Sequence, residues 1–202
     1  MRRRPFLLLL AAGPALAQAP RFLGTEEAVA LLRAGGVNVY MRHAITDRGQ
    51  VDSGRLGDRA GQRNLSPAGE AQARDLGAAL RSLGISMAEV LTSEVFRAQD
   101  TARLAFGSAR LHPALIADDY TARGAHQDAA EVSAMLAGPV DGGNRVMVGH
   151  IVPLGLILGR SLAQAEFPEG SLALFRPAEG RWHLAGVVPA EALILAARSG
   201  VP

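Results

Sequence analysis

Short apolar runs of strand length alternate along this chain with longer segments whose apolar residues recur at helical spacing. Thr25, followed by Glu26-Glu27 and the apolar run Ala28 to Leu32, predicts a helix capped by Thr25 and ended by Gly35-Gly36. Val37 to Met41 then reads as a short buried strand. Ser66-Pro67 opens a second helix, with Ser66 as cap, Pro67 in the first position and Gly84 as the stop after Leu83. Further on, Val90 to Thr92 predicts a strand, Val95 to Ala105 a helix, His126 to Leu136 a helix, Arg145 to Gly149 a strand and Pro153 to Leu158 a buried helical segment. Ser171 to Arg176 and Trp182 to Val188 read as a β-hairpin around Glu179-Gly180. Strands alternating with helices predict an α/β domain whose sheet is covered on both faces, with some antiparallel edge pairing.

Three of these elements end in chemistry. Arg42-His43 closes the first strand, Arg97 follows Val90 to Thr92 and a Thr-Ser turn, and Gly149-His150 closes the strand from Arg145. Ligands of open α/β sheets collect beyond the carboxyl ends of the strands, so side chains released at these ends can converge on one site. An arginine beside a histidine suits an anionic group that is also offered a nucleophile, which makes phosphate the first substrate chemistry to test.

Four motifs carry a resemblance. Arg42-His43-Ala44 is similar to the Arg-His-Gly motif of the histidine phosphatase superfamily, and Ser93, Arg97, Ala98, Thr101 and Ala102 match its Ser-x-x-x-Arg-Ala-x-x-Thr-Ala segment. Leu65, Gly69, Gln72 and Ala73 resemble its Leu-x-x-x-Gly-x-x-Gln-Ala helix entry, and Gly149-His150 its late Gly-His pair. The likeness runs from about Gly36 to Val188. It implies a three-layer α/β/α sandwich around a mostly parallel mixed sheet, of the phosphoglycerate mutase-like kind, and hydrolysis of a phosphomonoester through phosphohistidine without metal or other cofactor. On the same likeness His43 is the nucleophile, Arg42, Arg97 and His150 bind and stabilise the phosphoryl group, and Thr46 stands where a phosphate-facing hydroxyl is often found. The chain departs from the pattern at Ala44, at Ile45 and in the apolar Ile151-Val152-Pro153, which argues against a phosphomutase.

A proton donor is also needed for the departing alkoxide. Family members often supply a carboxylate after the second motif, where this chain has Asp118-Asp119, with Glu131 further along. Asp119 is preferred because Tyr120 beside it can exclude water and raise its pKa. His112, His126 and His183 lie in no motif and are assigned structural or surface roles. The aperiodic stretch Asp47 to Arg63 reads either as a rim over the pocket, offering Arg48, Arg55, Arg59 and Arg63 to an anion, or as a solvated insertion. A phosphate-ester binding protein with weak or no catalysis is the alternative on the same fold.

Composition narrows the class. Residues 1–19 have a basic start, an apolar run from Phe6 to Ala12 and small residues at Ala15 and Ala17, which predicts a secretory signal peptide ahead of one domain over residues 20–202. The run is shorter than the roughly 20 apolar residues of a membrane span, so no stable membrane insertion is expected after cleavage. Arg3-Arg4 also fits a twin-arginine leader, and a periplasmic or secreted protein is expected either way. Removing a leader through Ala17 takes away three arginines and no acid, leaving 18 basic against 19 acidic residues from the 21 and 19 of the whole chain. Nucleic acid is therefore not an expected partner; a small-molecule or envelope-associated phosphomonoester is. There is no cysteine, so neither disulfides nor thiol chemistry contributes.

Overall fold

The computed structural model describes residues 20–200, and the expected signal peptide lies outside them. Six strands form one sheet: β1 (Asn38–Arg42), β2 (Met87–Thr92), β3 (Arg110–Leu111), β4 (Asn144–Gly149), β5 (Leu172–Ala178) and β6 (Arg181–Val188). Their order is β3-β2-β4-β1-β5-β6, with the first four parallel and β5 and β6 antiparallel. The helices are α1 (Thr25–Ala34), α2 (Pro67–Ser82), α3 (Phe96–Phe106), α4 (Ala125–Ala137), α5 (Ile151–Ile157) and α6 (Ala190–Arg198).

Alternation along the strands separates two cores. Val39, Met41, Val146 and Val148 point to the face covered by α1, α2, α3 and α6. Tyr40, Met147 and Phe175 point to the other, against α4, α5 and the turn Pro113–Leu115. All five residues of β1 are buried, as its unbroken apolar run requires when both faces are covered. The three-layer α/β/α sandwich is thus the observed architecture.

Local details differ from expectation in instructive ways. Gly24, not Thr25, caps α1, and no side chain completes that cap. Ser66 caps α2 by accepting the Gly69 amide at 3.1 Å. Helix α5 begins two residues before Pro153, with His150 as its cap; a proline in the first turn removes only an amide that has no helical partner. Glu179 and Gly180 both have positive φ, 49° and 73°, as the tight hairpin turn demands. Helix α6 and the two-residue β3 went unpredicted.

Helix α2 packs hard against the loop that follows His43. Its first turn lies so close that a Cβ on Gly69 would fall 1.8 Å from the Ile45 carbonyl oxygen. That oxygen also accepts the Ser66 amide at 3.0 Å, while Gln72 Oε1 accepts the Ile45 amide at 3.2 Å. Gly69→Ala is therefore expected to destabilise the fold by about 1–3 kcal/mol and to shift the loop beyond His43. Thermal melting checks the first effect; an unchanged melting temperature contradicts this packing.

Candidate active site

β1 and β4 are adjacent and parallel, with Arg42 in register with Gly149, so His43 and His150 leave the sheet side by side. Their ring centroids are 5.4 Å apart and both residues are buried. Arg97, at the second position of α3, enters from the neighbouring strand's connection. Arg42, His43, Arg97 and His150 therefore meet in one pocket, although 108 positions separate the first from the last.

The nucleophile candidate is oriented by main chain. His43 Nδ1 lies 2.9 Å from the Ala44 carbonyl oxygen, which can only accept, so Nδ1 carries the proton and Nε2 presents its lone pair. Burial, followed by the charge of Arg97, holds the His43 pKa well below the ordinary imidazole value, which keeps the ring neutral. Ala44 is itself fixed by its amide donating to Thr101 Oγ at 2.9 Å, and that hydroxyl donates to the Arg97 carbonyl at 2.7 Å. The threonine of the second motif thereby links the two arms of the pocket.

His150 is held just as firmly. The Tyr40 hydroxyl donates to its carbonyl and accepts its amide, both at 3.0 Å. Its Nε2 lies 3.0 Å from Ser93 Oγ, while the buried Nδ1 has no partner. Burial and Arg97 hold its pKa well below the usual value too.

The arginines share a design. Arg42 Nη1 donates to the Phe167 carbonyl at 2.7 Å, and its buried Nε has no partner. Burial lowers the Arg42 pKa to about 10, with Glu169 opposing, so the guanidinium stays charged. Arg97 Nη1 donates to both oxygens of Asp52, at 2.9 and 3.1 Å, and its Nε is likewise buried and unpartnered. Arg63 joins them: its charge bears on Arg42, His43 and His150, and its Nε is a further buried nitrogen without a partner. Four of the six such side-chain atoms among the described residues thus belong to Arg42, Arg63, Arg97 and His150.

Other candidates fall differently. The Thr46 hydroxyl donates to Glu169 at 2.7 Å, so its proton is committed to a carboxylate rather than to an anion in the pocket. Asp118 and Asp119 are both exposed. Tyr120 does not shield Asp119; its hydroxyl donates to Asp52 at 2.7 Å. Desolvation, then the charge of Asp119, raises the Asp118 pKa, and the charge of Arg97 opposes the rise. The stretch from Asp47 to Arg63 is not a free insertion, because Gln62 Oε1 accepts the Phe96 amide at the start of α3 and Arg59 pairs with Asp100 at 2.6 Å. Asp52 and Tyr40 went unrecognised as pocket residues. A buried tyrosine in a core strand was the one signal available, since its hydroxyl needs a partner.

Residues 39–119 match the family model of the histidine phosphatase superfamily (branch 1), a segment that contains Arg42, His43, Arg97 and the Asp118-Asp119 pair. Solved structures extend the likeness beyond it. The fold is that of the histidine phosphatase superfamily. The protein histidine phosphatase SixA complexed with tungstate is 17% identical, with a TM-score of 0.56 over 78% of this chain and 99% of that one. A phosphoserine phosphatase mutant from Entamoeba histolytica, in complex with phosphoserine, is 15% identical, with a TM-score of 0.57 over 78% of this chain and 98% of that one. The alpha-ribazole phosphatase from Shigella flexneri is 18% identical, with a TM-score of 0.55 over 75% and 95% of the two chains. No curated protein sequence matches significantly. This chain thus shares its fold with these proteins over nearly their whole length.

The neutral histidines carry a stability consequence. Both imidazoles bind protons more readily in the unfolded chain, where their pKa is about 6.5, than in the pocket. Protons taken up by the unfolded chain therefore erode stability as pH falls through about 6.5. The melting temperature is expected to drop between about pH 7.5 and about pH 5.5, and to drop less in His43→Asn or His150→Asn. A flat profile across that interval contradicts a buried neutral pair.

Proposed function

We propose that this protein is a phosphomonoesterase acting through a phosphohistidine on His43. The observation that carries the reading is the set of unpartnered buried nitrogens of Arg42, Arg63, Arg97 and His150 around an imidazole whose orientation is already fixed. Unpartnered nitrogens and positive charge gathered about one imidazole suit the non-bridging oxygens of a phosphoryl group. A protein that only binds phosphate esters has no need of a histidine held in its nucleophilic tautomer.

In the forward step the His43 Nε2 lone pair forms a bond to phosphorus as the bond to the ester oxygen breaks. The leaving alkoxide takes a proton from a carboxylic acid, and we assign that acid to Asp118 in place of Asp119, because desolvation and the charge of Asp119 raise its pKa while it lies near enough to the pocket to feel the opposing charge of Arg97. Water then attacks phosphorus and gives its proton to the Asp118 carboxylate. The P–N bond breaks, inorganic phosphate leaves, and His43 returns to the neutral ring bonded to Ala44. The arginines surrounding both histidines oppose a bound cation, which supports metal-independent turnover. The basic start and apolar run of the leader support export to the periplasm or beyond.

Turnover of a phosphomonoester panel by the mature protein, with a chelator present, tests the function directly. Wild-type enzyme quenched in acid is expected to carry an acid-labile phosphate on His43. His43→Ala is expected to lose turnover by at least about a thousandfold while still binding phosphate. Loss of wild-type activity on chelation, restored by zinc, would overturn the metal-independent mechanism.

The acid assignment has its own test. A proton donor matters most for a poor leaving group, so Asp118→Asn is expected to slow hydrolysis of an alkyl phosphate by about a hundredfold or more and that of an activated aryl phosphate far less. The same selectivity in Asp119→Asn instead would return the role to Asp119.

A further inference from the structure

The loop between β1 and α2 brings one acid into the pocket. Asp52 receives Arg97 Nη1 on both oxygens, at 2.9 and 3.1 Å, and its Oδ1 also accepts the Tyr120 hydroxyl at 2.7 Å and the Arg63 amide at 2.9 Å. The pair is shielded, with the Arg97 side chain 4% exposed and that of Asp52 15%. This contact uses one guanidinium nitrogen. The same nitrogen also donates to the Arg63 carbonyl at 3.4 Å, so every guanidinium hydrogen bond seen among the described residues comes from Nη1, and Nε is buried without a partner. Arg42 repeats the arrangement, with the Phe167 carbonyl in the place of Asp52. A guanidinium is rigid and planar, so anchoring Nη1 against the fixed end of the side chain sets the plane of the whole group.

We propose that Asp52 is a positioning residue for phosphoryl transfer, holding Arg97 so that its Nε–Nη2 edge faces the phosphoryl group at His43. The proposal rests on the phosphatase reading for the identity of that anion. It gives the loop a defined task, because the segment carrying Asp52 is seated on the same first turn of α3 that carries Arg97. Gln62 caps that turn at the Phe96 amide, and the Arg59 guanidinium stacks 4.1 Å from the centre of the Phe96 ring while pairing with Asp100. Loop, helix and arginine therefore form one packed unit.

Two rival roles for Asp52 are disfavoured by the same contacts. As a proton donor it would have to be protonated, yet an arginine, a hydroxyl and an amide all donate to its ionised form. As a competitor that occupies the anion's place on Arg97, it would cover the unpartnered edge, yet it bonds Nη1.

The experiment measures tungstate binding by calorimetry on the wild-type protein, Asp52→Asn, Asp52→Ala, Arg97→Ala and the Asp52→Ala/Arg97→Ala double variant. Thermal melting of each reports folding. Removing a negative charge near a bound anion would by itself tighten binding. Asp52→Ala is nevertheless expected to weaken it by about tenfold to a hundredfold, since the guanidinium loses its anchor. In the Arg97→Ala background the same substitution is expected to cause no loss and to leave only the tightening from the removed charge, because Asp52 supports binding through Arg97. Should Asp52→Ala not fold, Asp52→Asn carries the comparison in both backgrounds.

Equal losses in the two backgrounds overturn the proposal. So does tighter tungstate binding by Asp52→Asn, the signature of a competitor. A loss confined to alkyl phosphates with tungstate affinity unchanged also overturns it, and makes Asp52 the acid. A wild-type protein that binds tungstate but hydrolyses no phosphomonoester refutes the phosphatase reading while leaving the coupling measurable. One that binds no tungstate refutes both.

Discussion

Three guanidinium groups and two imidazoles crowd a pocket from which most water is excluded, and the structure depends on making that concentration of positive charge tolerable. Burial alone penalises each cation, and the cations repel one another. The chain meets this by giving Arg42 the Phe167 carbonyl as an acceptor, and Arg97 the Asp52 carboxylate together with the Arg63 carbonyl. Both imidazoles are left neutral, which keeps the charge at the three arginines. What remains is a net attraction for an anion, built into the folded state before any ligand arrives.

Much of the surrounding sequence serves this arrangement at one remove. Gly69 allows α2 to approach Ile45, Gln72 accepts the Ile45 amide, Thr101 joins Ala44 to Arg97, and Tyr40 closes both backbone bonds of His150. These contacts explain why the motifs that resemble those of the histidine phosphatase superfamily include residues that never reach the pocket. The glycine, glutamine and threonine hold the segment after His43, and that segment's carbonyl in turn fixes the ring.

The strand ends were legible because each joins an unbroken apolar run to a charged or imidazole residue across one or two positions. Alternation within β1 and β4 then dictates which side chains enter which core, and the shared ends of the two strands bring His43 to His150. The loop from Asp47 to Arg63 carries no such period. Nothing in its composition distinguishes Asp52 from Asp47 or Asp58, or Arg63 from Arg55, because their roles come from long-range contacts with α3 and Tyr120. The argument for Asp119 from its neighbour Tyr120 does not carry over to the structure, for a related reason: Tyr120 is adjacent in sequence, yet its hydroxyl turns to a residue 68 positions earlier. Helix α6 was missed although Pro189 ahead of Ala190-Glu191 was a fair starting signal.

The register between β1 and β4 also has a kinetic meaning. Asn38 pairs with Arg145, so the two halves of the pocket are brought together only after more than half of the chain has been looped out. Closing so long a loop precedes any reward from the contacts it makes, which places this pairing among the slow, non-local events of folding. Individual helices can form and re-form without creating the pocket. The appearance of an anion site in a refolding chain therefore marks completion of the central sheet, so the onset of anion binding would time that step more directly than helix content does.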